Sequence, residues 1–157
     1  MAHTPLTTIH IDRIRDLKER TADLRKYGKQ VMIMLDAEFS SPDAQGLGVT
    51  LVLAQDGLSA QIASPFGSAR AIFSVYLGST GLYGRYAFQR RDADQHDRES
   101  WSEVFYLDIS TELMITSEYV SENSPRFNAI RAYRDQYFEL ALAITAALGR
   151  NPADSAV

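Results

Sequence analysis

AIFSVYLGSTGLYGRYAF, residues 71–88, is the stretch on which the fold turns. Two readings compete over its first half. Ser64-Pro65 and Gly78 resemble a helix start and stop, and Phe66, Ala69, Phe73, Tyr76 and Leu77 fall at helical spacing. AIFSVYL is nevertheless rich in β-branched and aromatic residues, which suit a pleated surface. Folding the stretch back across the GSTG loop favours the strand. Leu77 then faces Leu82, Phe73 faces Tyr86 and Ala71 faces Phe88, so apolar partners meet. The same register leaves Arg70, Tyr76, Tyr83 and Arg85 on the side away from the core, with Tyr76 opposite Tyr83.

Working outward, Leu47–Gln55 and Leu58–Ser64 flank Asp56-Gly57, the dipeptide of a two-residue type I′ turn. That turn sets Leu53 opposite Ala60 and Leu51 opposite Ile62. Val31–Phe39 alternates, with Val31, Ile33, Leu35, Ala37 and Phe39 facing one way and Met32, Met34, Asp36 and Glu38 the other. Such a period of two predicts a half-buried strand. Before it, Ile9–Tyr27 reads as a helix that stops at Gly28. Ile14, Leu17, Thr21 and Leu24 lie on one side of that helix and are expected to face the core. Their 3-4-3 spacing would also suit a helix–helix seam, although two heptads are too few for a coiled coil.

Downstream, 82–90 reads as a strand, RDADQHDRES (91–100) as a charged loop, and Trp101–Ile109 with Leu113–Val120 as a hairpin around Ser110-Thr111. Two- and three-residue loops give that hairpin different registers, so its pairing stays open. The last segment, Ser124–Gly149, carries helix signals at both ends. Ser124 is a good N-cap, Pro125 fits the first helical position and Gly149 suits the C-terminal cap. Ile130, Tyr133, Tyr137, Leu140, Ala141, Ile144 and Leu148 form its apolar stripe. The sum is a single α+β domain over 1–157, with 1–8 and 150–157 as flexible tails. Its expected architecture is two-layered: an antiparallel meander of about six or seven strands flanked by an N-terminal and a C-terminal helix.

Composition bounds the function classes. The 157 residues are 45% hydrophobic and 23% charged, the balance of a globular domain rather than a disordered chain. A net charge of −4 weighs against a nucleic-acid partner, whose phosphates would be repelled. The chain has no cysteine, which excludes disulfides, thiolate metal sites and cysteine nucleophiles. Its N-terminus lacks the apolar run of a signal peptide, and the longest apolar run, Tyr137–Leu148, is broken by Glu139 and too short for a bilayer. A cytoplasmic location without a membrane partner is the resulting expectation.

Two acidic groups are candidates for metal or acid–base chemistry. On a strand, Asp36 and Glu38 would share a face and could hold Mg²⁺ or exchange a proton. Met32 and Met34 fill the rest of that face, so solvent-facing charges are the plainer reading. Asp92, Asp94 and His96 begin like a calcium loop, but the glycine and the distant glutamate of that motif are missing. Arg90, Arg91 and Arg98 stand close enough in sequence to satisfy these acids. No nucleotide-binding or hydrolase signature occurs. No catalytic residue, resident metal or cofactor is therefore assigned, and the balance leans away from an enzyme.

Tyrosine and arginine carry much of the binding energy at protein interfaces, which makes Arg70, Tyr76, Tyr83 and Arg85 the candidate partner-binding set. On the final helix Phe138 and Leu142 lie off the main stripe. A second copy of the chain, a partner protein or an overlying loop could cover them. The expectation is a small acidic cytoplasmic protein-binding module without catalytic activity. In size, charge and element order the layout looks like bacterial secretion chaperones and toxin-neutralising immunity proteins, which implies a protein partner. The alternatives are a metal-dependent enzyme or small-ligand binder built on Asp36/Glu38 or the Asp92–Asp97 loop. A single-stranded nucleic-acid reader is a third, because the same tyrosines and arginines could stack on bases.

Overall fold

The computed structural model describes residues 8–79, 81–93, 99–117, 126–130 and 134–150. In chain order these form α1 (Thr8–Phe39), a 3₁₀ turn at Gln45–Leu47, and the strands β1 (Thr50–Leu53), β2 (Ser59–Ser64), β3 (Gly67–Gly78), β4 (Gly81–Ala93), β5 (Glu99–Ser110), β6 (Met114–Ser117) and β7 (Arg126–Asn128). Helix α2 (Arg134–Leu148) follows. The strands pair in sequence order, each antiparallel to the next, as one seven-stranded meander curved into a half-barrel. The α+β class and the helix–meander–helix plan are those read from the sequence.

The decisive hairpin pairs as predicted, with Leu77↔Leu82, Phe73↔Tyr86, Ala71↔Phe88 and Tyr76↔Tyr83. The preceding one keeps the predicted register, Leu51↔Ile62 and Leu53↔Ala60, by a different turn. Gly57 N–H donates to Ala54 O at 2.9 Å, and the Asp56 carboxylate accepts the Leu58 N–H at 2.9 Å. Gly57 has φ +72° while Asp56 does not enter the left-handed region, so the turn is not type I′. The β5–β6 register, open in the sequence, is Ile109↔Ile115 and Leu107↔Ser117. A three-residue loop sets it, with the Ser110 hydroxyl accepting the Glu112 and Met114 N–H groups.

Further expectations are corrected, among them the charged loop over 91–100, of which 91–93 belong to β4 and 99–100 to β5. Val31–Phe39 is not a strand but the second half of α1, whose 32 residues run straight through Gly28. Positions 31, 35 and 39 satisfy a period of two and a period of 3.6 alike. The neighbours decide: Met32 is fully buried, whereas Ile33 is 58% exposed. Gly28 is not a stop. A Cβ there would come within 3.0 Å of the Phe73 ring, and Gly28 O accepts the Tyr86 hydroxyl at 2.6 Å. A mid-helix glycine costs about 1 kcal/mol, and here it lets the helix approach the sheet.

The final helix begins at Arg134, not Ser124, and Arg126–Asn128 is a strand with Phe127 opposite Ile115. Ile130, expected on the helical stripe, precedes the helix and is exposed. Tyr137, Leu140, Ala141, Ile144 and Leu148 are buried as predicted. Ser124, Pro125 and Tyr133 lie outside the described residues, as do 118–120, 1–7 and 151–157. A last correction concerns Ile14 and Leu17, which do not face the core: they are 55% and 38% exposed, and from Asp12 onward the first buried residue of α1 is Leu24.

One core holds the layers together. Val31, Met32, Leu35 and Phe39 of α1 meet Tyr86, Phe88, Phe105, Leu107 and Ile109 of the sheet and Tyr137, Ile144 and Leu148 of α2. Each such side chain taken from water contributes roughly 1.5–3 kcal/mol. Both helices thus cover the same face of the meander.

Candidate binding face of the sheet

The opposite face carries every residue of the predicted partner-binding set. Alternation places Arg70 and Tyr76 of β3 beside Tyr83 and Arg85 of β4, and β5 adds Tyr106 and Asp108. Tyr76 and Tyr83 stack with ring centroids 5.7 Å apart, Tyr76 being 48% exposed. The Arg85 guanidinium sits 4.1 Å from the Tyr106 ring centroid and 5.5 Å from that of Tyr83. It also forms a two-pronged pair with Asp108, Nε to Oδ1 at 2.6 Å and Nη2 to Oδ2 at 2.8 Å. These hydrogen bonds to Asp108 hold the guanidinium proton more tightly than usual, raising its pKa. Two aromatic faces and a carboxylate hold the side chain in one place, which limits its rotamer freedom.

Arg70 anchors a second cluster one end of the sheet away. Its Nε donates to Gln89 Oε1 at 2.7 Å, and its guanidinium carbon lies 4.0 Å from the Trp101 ring centroid. Beside it opens a depression of about 430 Å³ lined by Val52, Gln61, Ser68, Arg70, Arg91 and Trp101. Arg91 Nη2 pairs with Glu99 Oε1 at 2.9 Å, both side chains being exposed.

Trp101, Tyr106 and Asp108 belong to this face and were not singled out from the sequence. The reason for Trp101 is a β-bulge. Pairing steps from Phe88↔Phe105 to Gln89↔Glu103, leaving Val104 as the extra residue. Without that step Trp101 would fall on the face of Phe105 and Leu107; with it, Trp101 pairs with Arg91 on the opposite side. Tyr106 and Asp108 needed only the β4–β5 register.

The other candidates separate. Asp36 and Glu38 are on a helix, where residues two apart point roughly 200° from each other. The shared face that motivated a metal or acid–base pair does not exist. Asp92 is on β4, where its carboxylate accepts from the Ser102 hydroxyl and from Arg90 Nε at 3.4 Å. Arg90 Nη1 in turn donates to Leu148 O and Arg150 O at 3.0 and 2.9 Å, capping the C-terminus of α2. Asp92 therefore belongs to a structural network. Asp94 and His96 lie outside the described residues. Among the described residues no three metal-ligating side chains converge. On α2, Phe138 is half-buried and Leu142 exposed, off the buried stripe as expected. No described helix is long and apolar enough to cross a membrane.

Compared with protein-family models, curated proteins and solved structures, the chain shows no match.

Proposed function

We propose that this chain is a protein-binding module that works in the cytoplasm and captures another protein on the sheet face opposite its helices. The observation that carries the reading is the aromatic–arginine surface running from Tyr76, Tyr83, Arg85 and Tyr106 to Arg70 and Trp101. Tyrosine, tryptophan and arginine dominate interface hot spots, and here they are held in place by stacking and by Asp108. The depression beside Trp101 supplies a pocket for an anchoring side chain, and two arginines on its rim favour an acidic one. Phe138 and Leu142 of α2 form a smaller apolar patch suited to a second copy of the chain.

Affinity capture from the native host, with light scattering on the purified protein, tests this. Wild type should retain a partner that the double variant Tyr76→Ala/Tyr83→Ala loses by at least about tenfold, the weight of one or two hot-spot residues. Unchanged capture by the double variant removes this surface from consideration.

A further inference from the structure

Residues 12–23 of α1 have no counterpart to cover them among the described residues. Every residue from Asp12 to Asp23 is exposed except Thr21, which is partly covered, and at 1.5 Å per residue this overhang is roughly 18 Å long. It is not uniformly polar. Ile14, Leu17 and Thr21 lie along one seam that leads to the buried Leu24.

The charges that border that seam are all of one sign, whereas the far side, with Arg15 and Lys26 among its acids, is mixed. With roughly 100° between successive residues, Arg13 and Arg20 fall along one border of the seam and Lys18 and Arg25 along the other. Asp12, Asp16, Glu19 and Asp23 all fall on the opposite side of the rod. In heptad terms Ile14, Leu17, Thr21 and Leu24 are a and d positions, and all four e and g positions are basic. One acid reaches toward a border cation: Asp16 Oδ2 stands 3.2 Å from Arg20 Nε, in an exposed pair of small strength.

This arrangement selects among occupants. A second copy of α1 would set cations against cations in either parallel or antiparallel pairing, so the seam is built against self-association. A membrane surface would need a broader apolar face than this arc of roughly 80°, which has the width of a helix–helix seam. Phosphate binding would use the cations and leave Ile14 and Leu17 in water. We infer that the α1 overhang is a docking site for an amphipathic helix of a partner protein with acidic residues flanking its apolar seam. Because α1 is already folded through its anchored second half, only the incoming helix has to be ordered. This surface is distinct from the tyrosine–arginine face of the sheet.

The probe is a labelled four-heptad peptide with Ile at a, Leu at d and Glu at e and g, titrated into the full chain alongside a twin carrying Lys at e and g. The Glu peptide should bind about 30-fold more tightly or better, since four flanking ion pairs stand where the Lys twin sets four like-charge contacts. High salt should narrow the gap. Ile14→Asp/Leu17→Asp should abolish binding without moving the melting midpoint, and Tyr76→Ala/Tyr83→Ala should leave it unchanged. Reversing Arg13, Lys18, Arg20 and Arg25 to Glu should switch the preference to the Lys peptide. Equal binding of the two peptides, binding of neither, or tighter association with phosphatidylserine vesicles or duplex DNA than with the Glu peptide would overturn the inference.

Discussion

The two faces of the meander are made from the same strands, residue by residue, yet they serve opposite ends. Along β4, Tyr86 and Phe88 point into a buried layer beneath two helices, while Tyr83 and Arg85 point the other way. Polar groups on the covered face are few and fully engaged: Tyr86 Oη donates to Gly28 O, and Tyr137 Oη donates to Ala129 O at 2.9 Å. On the bare face the polar groups are many and pre-positioned by one another, as Arg85 is by Asp108 and two tyrosines. Alternation with a period of two lets the buried face and the exposed face be altered separately.

Substitutions should expose that separation by their size. Phe88 is fully buried, with ring centroids 5.7 Å from Phe105 and 6.5 Å from Tyr86. Phe88→Ala should destabilise the fold by about 3–5 kcal/mol, a large share of a typical domain's stability, measurable by urea unfolding. If the loss were small, the helix-side face would not be the core.

Alkaline titration gives the next largest effect. Burial pushes the Tyr137 phenol from 10.0 up to about 12, and burial also raises that of Tyr86, with Asp56 adding to it. A raised folded-state value means that this stability is complete below pH 10 and is lost as pH climbs through 12. For Tyr137 the loss should amount to roughly 2–3 kcal/mol, and Tyr137→Phe should flatten its share of the slope. Chemical unfolding at stepped pH reads this directly. Stability independent of pH across that window would place these phenols in water.

The smallest effect belongs to the bare face. Tyr76→Ala removes one stacked, half-exposed ring and should cost only about 0.5–1 kcal/mol. A loss comparable to that of Phe88→Ala would mean that the tyrosines support the fold rather than face a partner.

What the sequence made legible follows from where two signals agreed. Tyr76↔Tyr83 and Leu51↔Ile62 could be read because a short turn and a period-two pattern point to one register. Val31–Phe39 was misread because the spacing of Val31, Leu35 and Phe39 fits both templates. Gly28 has the sequence look of a helix stop but serves as a point of close approach to Phe73. Trp101 was hidden by a bulge at Val104, which no local pattern announces. Three residues of β7 were hidden by cap-like Ser124-Pro125 just ahead of them. Tyr76, Tyr83, Arg70 and Arg85 were therefore legible as a group, and the partners that fix them were not.

Because the chain has no cysteine, a single thiol can report on either face. Tyr76→Cys and Ala71→Cys, five positions apart on β3 and on opposite sides of it, should be treated with a maleimide under native conditions. Labelling should be fast at position 76 and slower by about 100-fold or more at position 71, where it is gated by opening of the fold. Equal rates at the two positions would contradict the division of the sheet into a buried face and an exposed one.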